Sequence, residues 1–195
     1  MKKLILSITF LLLPCVCSAV TLLTEKEALN RILSDTDEIT SKKIAISNEQ
    51  LDAIKKQLGG NLVNTLKCKE ALILNQQKEF TFYLGRKSGK TTGIAIIINE
   101  PGKWGQIRFI VSLTPQGLIR DVAVMKYTET RGRPVATRSF LRQFLGMNAL
   151  DSIKLGMDIK GISGATVSSN VACFVIKKSL VLFNALLKDD LQNEI

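Results

Sequence analysis

The sequence predicts an α+β fold, an antiparallel sheet of about four to five strands packed with helices and closed by a long C-terminal helix. Three observations carry this reading. Between Glu79 and Tyr127 the chain alternates, or runs apolar, in short stretches separated by Gly- and Pro-containing turns, the pattern of hairpin-linked strands. Ahead of them, two capping-box sequences each open a helical pattern. After them, Val167 to Leu187 carries apolar residues at spacings of three and four. At 195 residues the chain is long enough for one domain with a substantial core and some additional structure.

Met1 to Ala19 has the form of a signal peptide: Lys2 and Lys3, then an apolar run from Leu4 to Leu13, a break at Pro14, and small residues before a cut ahead of Val20. The run is about half the roughly 20 residues a membrane span needs, so a cleaved leader is expected rather than a retained anchor, and with it a periplasmic or envelope location. Pro14 before Cys15 and Val16 before Cys17 are poor residues for lipoprotein cleavage. Thr24-Glu25-Lys26-Glu27 then opens a helix over about 24–34. Ser47-Asn48-Glu49-Gln50 opens another over 47–58, stopped by Gly59-Gly60. Both fall in a helical N-terminal segment, 20–65. Whether it packs on the following domain, 66–195, or forms a stalk or a partner surface is open at this level.

Within that domain Phe80, Phe82 and Leu84 alternate with Thr81, Tyr83 and Gly85, and Arg86 to Lys90 forms a turn. Gly93 to Ile98 is continuously apolar, as in a strand buried on both faces. Asn99-Glu100-Pro101-Gly102 reads as the next turn. Ile107 to Leu113 and Leu118 to Tyr127 are further strands about a Pro115-Gln116-Gly117 hairpin, with a candidate fifth strand near 63–74. Lys177 and Lys178 interrupt the final apolar run, which favours a core helix over a membrane span.

Composition excludes several chemistries. The chain has no histidine, which removes His-ligated metal, attached c-type haem and His-based acid–base catalysis. Beyond the leader, Cys68 and Cys173 remain; nothing in the sequence brings them together, and Cys173 on the apolar helix reads as a core residue. The net charge of +10 comes from scattered Lys and Arg with few aromatics among them, a basic surface rather than a nucleic-acid site.

The chemistry concentrates at residues 158–170. Gly161 and Gly164 permit a tight turn, and Ser163, Thr166, Ser168 and Ser169 bring four hydroxyls to the start of a helix. Thr166 or Ser168 is placed at the helix N-terminus, where free N–H groups and the helix dipole favour an anion such as phosphate. On composition alone, a loop with a Ser/Thr cap accounts for the same residues. Likewise Tyr127 to Pro134 reads as a polar loop.

Ser163-Gly164-Ala165-Thr166-Val167-Ser168 resembles the S/T-G-A-T-x-S/T signature of the FMN-binding domain found in the RnfG component of Rnf complexes and the NqrC component of sodium-translocating NADH:quinone reductases. The resemblance implies that a flavin transferase attaches FMN through its phosphate to Thr166, with Ser163, Gly164, Ala165 and Ser168 in the cofactor site. Glu129 and Thr130 resemble the family's Glu-Thr pair beside the flavin, and Phe140, Gln143, Phe144 and Gly146 its "F…QF-G" helix. The matches keep the family's order over roughly 78–185. Two positions depart from it: Lys160 stands where an Asp is frequent, with Asp158 two residues upstream, and no His precedes the Glu-Thr pair. Arg131, Arg133 and Lys160 are candidates for extra charge near the phosphate or ring. The implied protein is an exported electron carrier with membrane or periplasmic redox partners, more than an enzyme with its own substrate. The alternatives are a component of a membrane-bound ion-translocating redox complex and a cofactor-free exported binding module.

Overall fold

A strand that is apolar on both sides has to be covered on both faces, and Ile94 to Ile98 sets the architecture in that way. The computed structural model describes residues 20–128 and 133–192. In chain order they form β1 (Val20–Thr21), α1 (Glu25–Ile32), β2 (Glu38–Ala45), α2 (Asn48–Gln57), α3 (Lys69–Leu74), β3 (Glu79–Lys87), β4 (Lys90–Pro101), β5 (Gln106–Leu113), β6 (Ile119–Tyr127), α4 (Arg138–Leu141), α5 (Thr166–Leu186) and α6 (Lys188–Gln192). The strands make one antiparallel sheet of six, ordered β1-β6-β5-β4-β3-β2.

The expected meander is β3 to β6. The other two strands come from the N-terminal segment, one at each edge of the sheet. The region near 63–74 is not a strand: α3 forms there, because Lys69-Glu70-Ala71-Leu72 are good helix formers with no alternation, and Ala71 is buried. The turn expected at 99–102 also lies further on. β4 pairs through Pro101 opposite Gln106, and Gly102 N–H donates to Gly105 C=O at 2.7 Å to close the turn. Pro101 sits at the last position of the ladder, where its missing N–H costs little.

On one face α5 and α2 pack against β3, β4, β5 and β6 through residues such as Phe82, Ile96, Phe109, Val171 and Phe183. On the other, α1 lays Ala28, Ile32 and Leu33 on Ala95, Ile110 and Ala123, and the small alanines let it approach the sheet closely. Both capping boxes are formed: Glu27 N–H donates to Thr24 Oγ1 at 3.3 Å, and Gln50 N–H to Ser47 Oγ at 3.1 Å. Glu25 fixes α1 across the sheet, accepting from Tyr83 Oη at 2.5 Å and pairing with Arg108 at 2.8 Å. α5 is long and apolar enough to cross a membrane, but 72% of its most apolar stretch is buried inside this fold. Cys68 and Cys173 are unpaired, and burial pushes the Cys173 thiol up to about 11, where it behaves as a small apolar group.

A charged pair lies inside the core. Lys178 of α5 is 1% exposed and Glu100 of β4 is 0% exposed, and their Nζ and Oε2 stand 3.6 Å apart. The other carboxylate oxygen accepts from Asn64 N–H at 2.5 Å, so Glu100 fastens the loop after α2 to the sheet and to α5. Burial pushes Glu100 up to about 7 and pulls Lys178 down, each only partly offset by its partner.

Candidate functional site

The turn ahead of α5 is built by three residues. Ala165 N–H donates to Ile162 C=O at 3.0 Å, and Gly164 between them takes φ +77. Ser169 holds the turn from below: its Oγ donates to Ala165 C=O at 3.0 Å and accepts from Ile162 N–H at 3.4 Å. A Cβ at Gly164 would meet nothing within 4 Å, so the cost of Gly164→Ala is backbone strain alone. It should be about 1–2 kcal/mol, read as a lower urea midpoint at unchanged slope.

Thr166 is the first residue of α5 and is exposed, and the position before it is Ala165, which offers no capping side chain. Thr166 and Ser168 therefore do not cap this helix. Ser168 is buried, its Oγ 3.4 Å from Tyr127 Oη, while Ala165 is buried and Ser163 and Gly164 are exposed. The N–H groups of Thr166, Val167 and Ser168 have no acceptor within the helix. Among the described residues, nothing hydrogen-bonds the Thr166 hydroxyl. The helix start is thus open to an anion and presents an unspent nucleophilic oxygen beside it.

A second layer holds this turn in place. Gln143 accepts from Lys160 N–H at 2.8 Å and returns its Nε2 to Lys160 C=O at 3.2 Å, so one amide pairs both backbone groups of Lys160. Gln143 is carried on a turn fixed by the edge-to-face pair Phe140–Phe144, 5.6 Å between centroids. Asp158 accepts from Ser152 Oγ and from Lys154 N–H at 2.9 Å, and those bonds hold its carboxyl below the usual range. Its role is to close the preceding loop. Replacing Gln143 by Leu should cost about 1 kcal/mol and reduce ligand occupancy at the turn, checked by comparing unfolding midpoint and bound ligand in the same sample.

The Tyr127–Ser168 contact brings the end of β6 against the start of α5. At this end of the sheet lies a cavity of about 740 Å³, lined by residues including Asn99, Lys103, Trp104, Gln106, Lys126 and Thr128. Thr128 is seated by donating to Gln106 C=O at 2.7 Å, and Gly105 allows it: a Cβ there would lie 2.5 Å from Thr128 Oγ1. Glu129 and Thr130 follow directly but, with Arg131 and Gly132, lie outside the described residues. Trp104, Gln106 and Lys126 are cavity residues that no sequence motif singled out. A signal was present, since Trp104 is the sole tryptophan and stands in a Gly-bounded turn.

Residues 102–181 match the family model described as the FMN-binding domain, a span that takes in Gln143, the Ser163–Thr166 turn and the part of the cavity lining from Gly102 onward. That segment, about two fifths of the chain, is similar to an FMN-binding domain. Over 115 residues it is 26% identical to the G component of the proton-translocating ferredoxin:NAD(+) oxidoreductase complex of Clostridium ljungdahlii, covering 55% of this chain and 60% of that protein. The chain thus spans less than two thirds of that relative's length. In fold it is similar to the crystal structure of Shewanella oneidensis NqrC, with a TM-score of 0.55 at 17% identity, covering 84% of this chain and 88% of that one. The residues present fit FMN: the uncapped start of α5 suits a phosphate, and the space around Gly164 leaves room for it.

Proposed function

We propose that this chain binds FMN and is an exported electron-transfer flavoprotein whose FMN is joined through its phosphate to Thr166. The observation that carries the reading is the exposed, unspent Thr166 hydroxyl at the uncapped start of α5, inside the segment that matches the family. In the attachment step, helped by a flavin transferase, the Thr166 oxygen attacks the FMN-side phosphorus of FAD. A P–O bond forms, the diphosphate P–O bond breaks, AMP leaves, and the hydroxyl proton passes to the transferase. The N–H groups of residues 166–168 would stabilise the phosphate, and Glu129 and Thr130 would contact the ring or ribityl chain beside the cavity. Bound FMN supplies one- and two-electron transfer; the chain positions it and sets its surroundings.

The Clostridium relative belongs to an oxidoreductase complex. On that ground we extend the proposal to exchange of electrons with membrane or periplasmic redox proteins, the chain acting as a carrier rather than on a substrate of its own. The test is the intact mass of the full chain co-expressed with a flavin transferase. A gain of one FMN less one water, mapped to the peptide holding Thr166, with yellow colour surviving denaturation, is the expected result. A bare mass with no colour overturns the proposal.

A further inference from the structure

Four large apolar side chains stand out from one corner of the molecule. Trp104, in the β4–β5 turn, is 64% exposed, and Leu66, Leu72 and Ile73, in and just before α3, are 43%, 52% and 73% exposed. They share a corner because α3 and this turn wall the same cavity, Cys68 and Glu70 on one side, Lys103 and Trp104 on the other. α3 buries just Ala71, so a helix with three further aliphatic residues spends most of its apolar surface on the outside. Isolated exposed aliphatics are ordinary, but a cluster with an indole marks a surface that something covers.

The charges around the cluster indicate what covers it. Lys67, Lys69 and Lys103 are all exposed there and outnumber the one exposed carboxylate among them, Glu70, and Lys103 Nζ lies 5.0 Å from the Trp104 ring centroid. Lysines with aliphatic stems over an exposed indole match a lipid headgroup region, where Trp sits at the interface and Lys reaches phosphate. The cavity also adjoins the edge of the sheet formed by the start of the described chain. β1 starts at Val20 opposite Tyr127, and Thr21 stands opposite Lys126, which lines this cavity. Running backwards from Val20, the chain therefore leaves the fold at this end of the sheet.

We infer that the corner formed by α3 and the β4–β5 turn docks on an anionic lipid surface, with Trp104, Leu72 and Ile73 in the headgroup layer and Lys67 and Lys69 on lipid phosphates. Docking at this corner sets the end of the sheet that meets the start of α5 against the bilayer, and it does not depend on flavin attachment.

Because the chain has a single tryptophan, its emission reports this corner alone. The experiment uses the full chain carrying Thr166→Ala, so that no attached flavin quenches the indole. It is mixed with vesicles of phosphatidylcholine containing phosphatidylglycerol, or of phosphatidylcholine alone. Residues 1–19 can bring the chain to either vesicle, so sedimentation is not the readout. The expected result is a blue shift of Trp104 emission, and quenching by brominated lipid, with the anionic vesicles. Leu72→Glu with Ile73→Glu should abolish both, and Lys67→Glu with Lys69→Glu should raise the anionic lipid needed at least tenfold. Emission that stays at its solvent position on anionic vesicles overturns the inference and gives the corner to a protein partner. An equal shift on phosphatidylcholine alone also overturns it.

Discussion

Replacing Lys178 with Met should lower the unfolding free energy by about 3–5 kcal/mol at pH 8, the cost of leaving a buried charge without its partner. Glu100 is fully enclosed, with one oxygen on Asn64 N–H and the other facing Lys178 at 3.6 Å, and a methionine offers that oxygen no charge. The loss should shrink at pH 5. In the fold the Glu100 carboxyl is raised from 4.5 to about 7, so its contribution to stability is full below 4.5 and is lost as pH rises through 7. A carboxyl already protonated at pH 5 needs no counter-charge. Lys178 has the opposite sign: its value is lowered from 10.5, so its contribution is full above 10.5 and is lost as pH falls through the folded value. Joining Glu100→Gln to Lys178→Met should restore most of the stability, since Gln still accepts from Asn64 and no charge remains buried. Urea unfolding of both variants at the two pH values decides it. Equal losses at pH 5 and pH 8 would assign the effect to the packing of the Lys178 stem instead.

This pair also shows what the sequence hid. Glu100 read as a turn residue because Asn99-Glu100-Pro101-Gly102 has turn composition, and Lys178 read as a polar interruption of an apolar helix. Each looks like a surface feature until the other is placed opposite it. The same holds for β1 and β2, which the capping boxes on either side obscured. β2 is a lysine-bearing edge strand, whose pattern answers to solvent on one side and carries no strong apolar alternation. What was legible was local: the alternation of β3, the doubly buried β4, both N-caps and the apolar stripe of α5 each encode their structure within a few residues. At the candidate site, the four hydroxyls between 163 and 169 were legible as a group but not by role. Ser169 ties the turn, Ser168 turns inward to Tyr127, and Thr166 is left exposed, a division set by which side of α5 meets the sheet. Gln143 was legible through its motif, whereas its pairing with Lys160 depends on a contact across 17 residues.

That division of roles makes the second large effect specific. Thr166→Ala should abolish covalent flavin while leaving the fold almost unchanged, because the side chain is exposed and, among the described residues, has no hydrogen bond to lose. Surface changes of that kind usually move stability by less than about 0.5 kcal/mol. Thr166→Ser keeps the oxygen on the same Cβ and should retain attachment at a reduced rate. Ser163→Ala should attach flavin normally, since Ser163 is an exposed residue of the turn and its N–H is not one of the three left open at the helix start. Intact masses of the three variants, made with the same flavin transferase, give the answer beside their unfolding midpoints. Full loading of Thr166→Ala would move the acceptor to another hydroxyl. Loss of loading in Ser163→Ala with an unchanged midpoint would show that the transferase reads the turn itself, so that recognition reaches back from α5 into the segment held by Gln143.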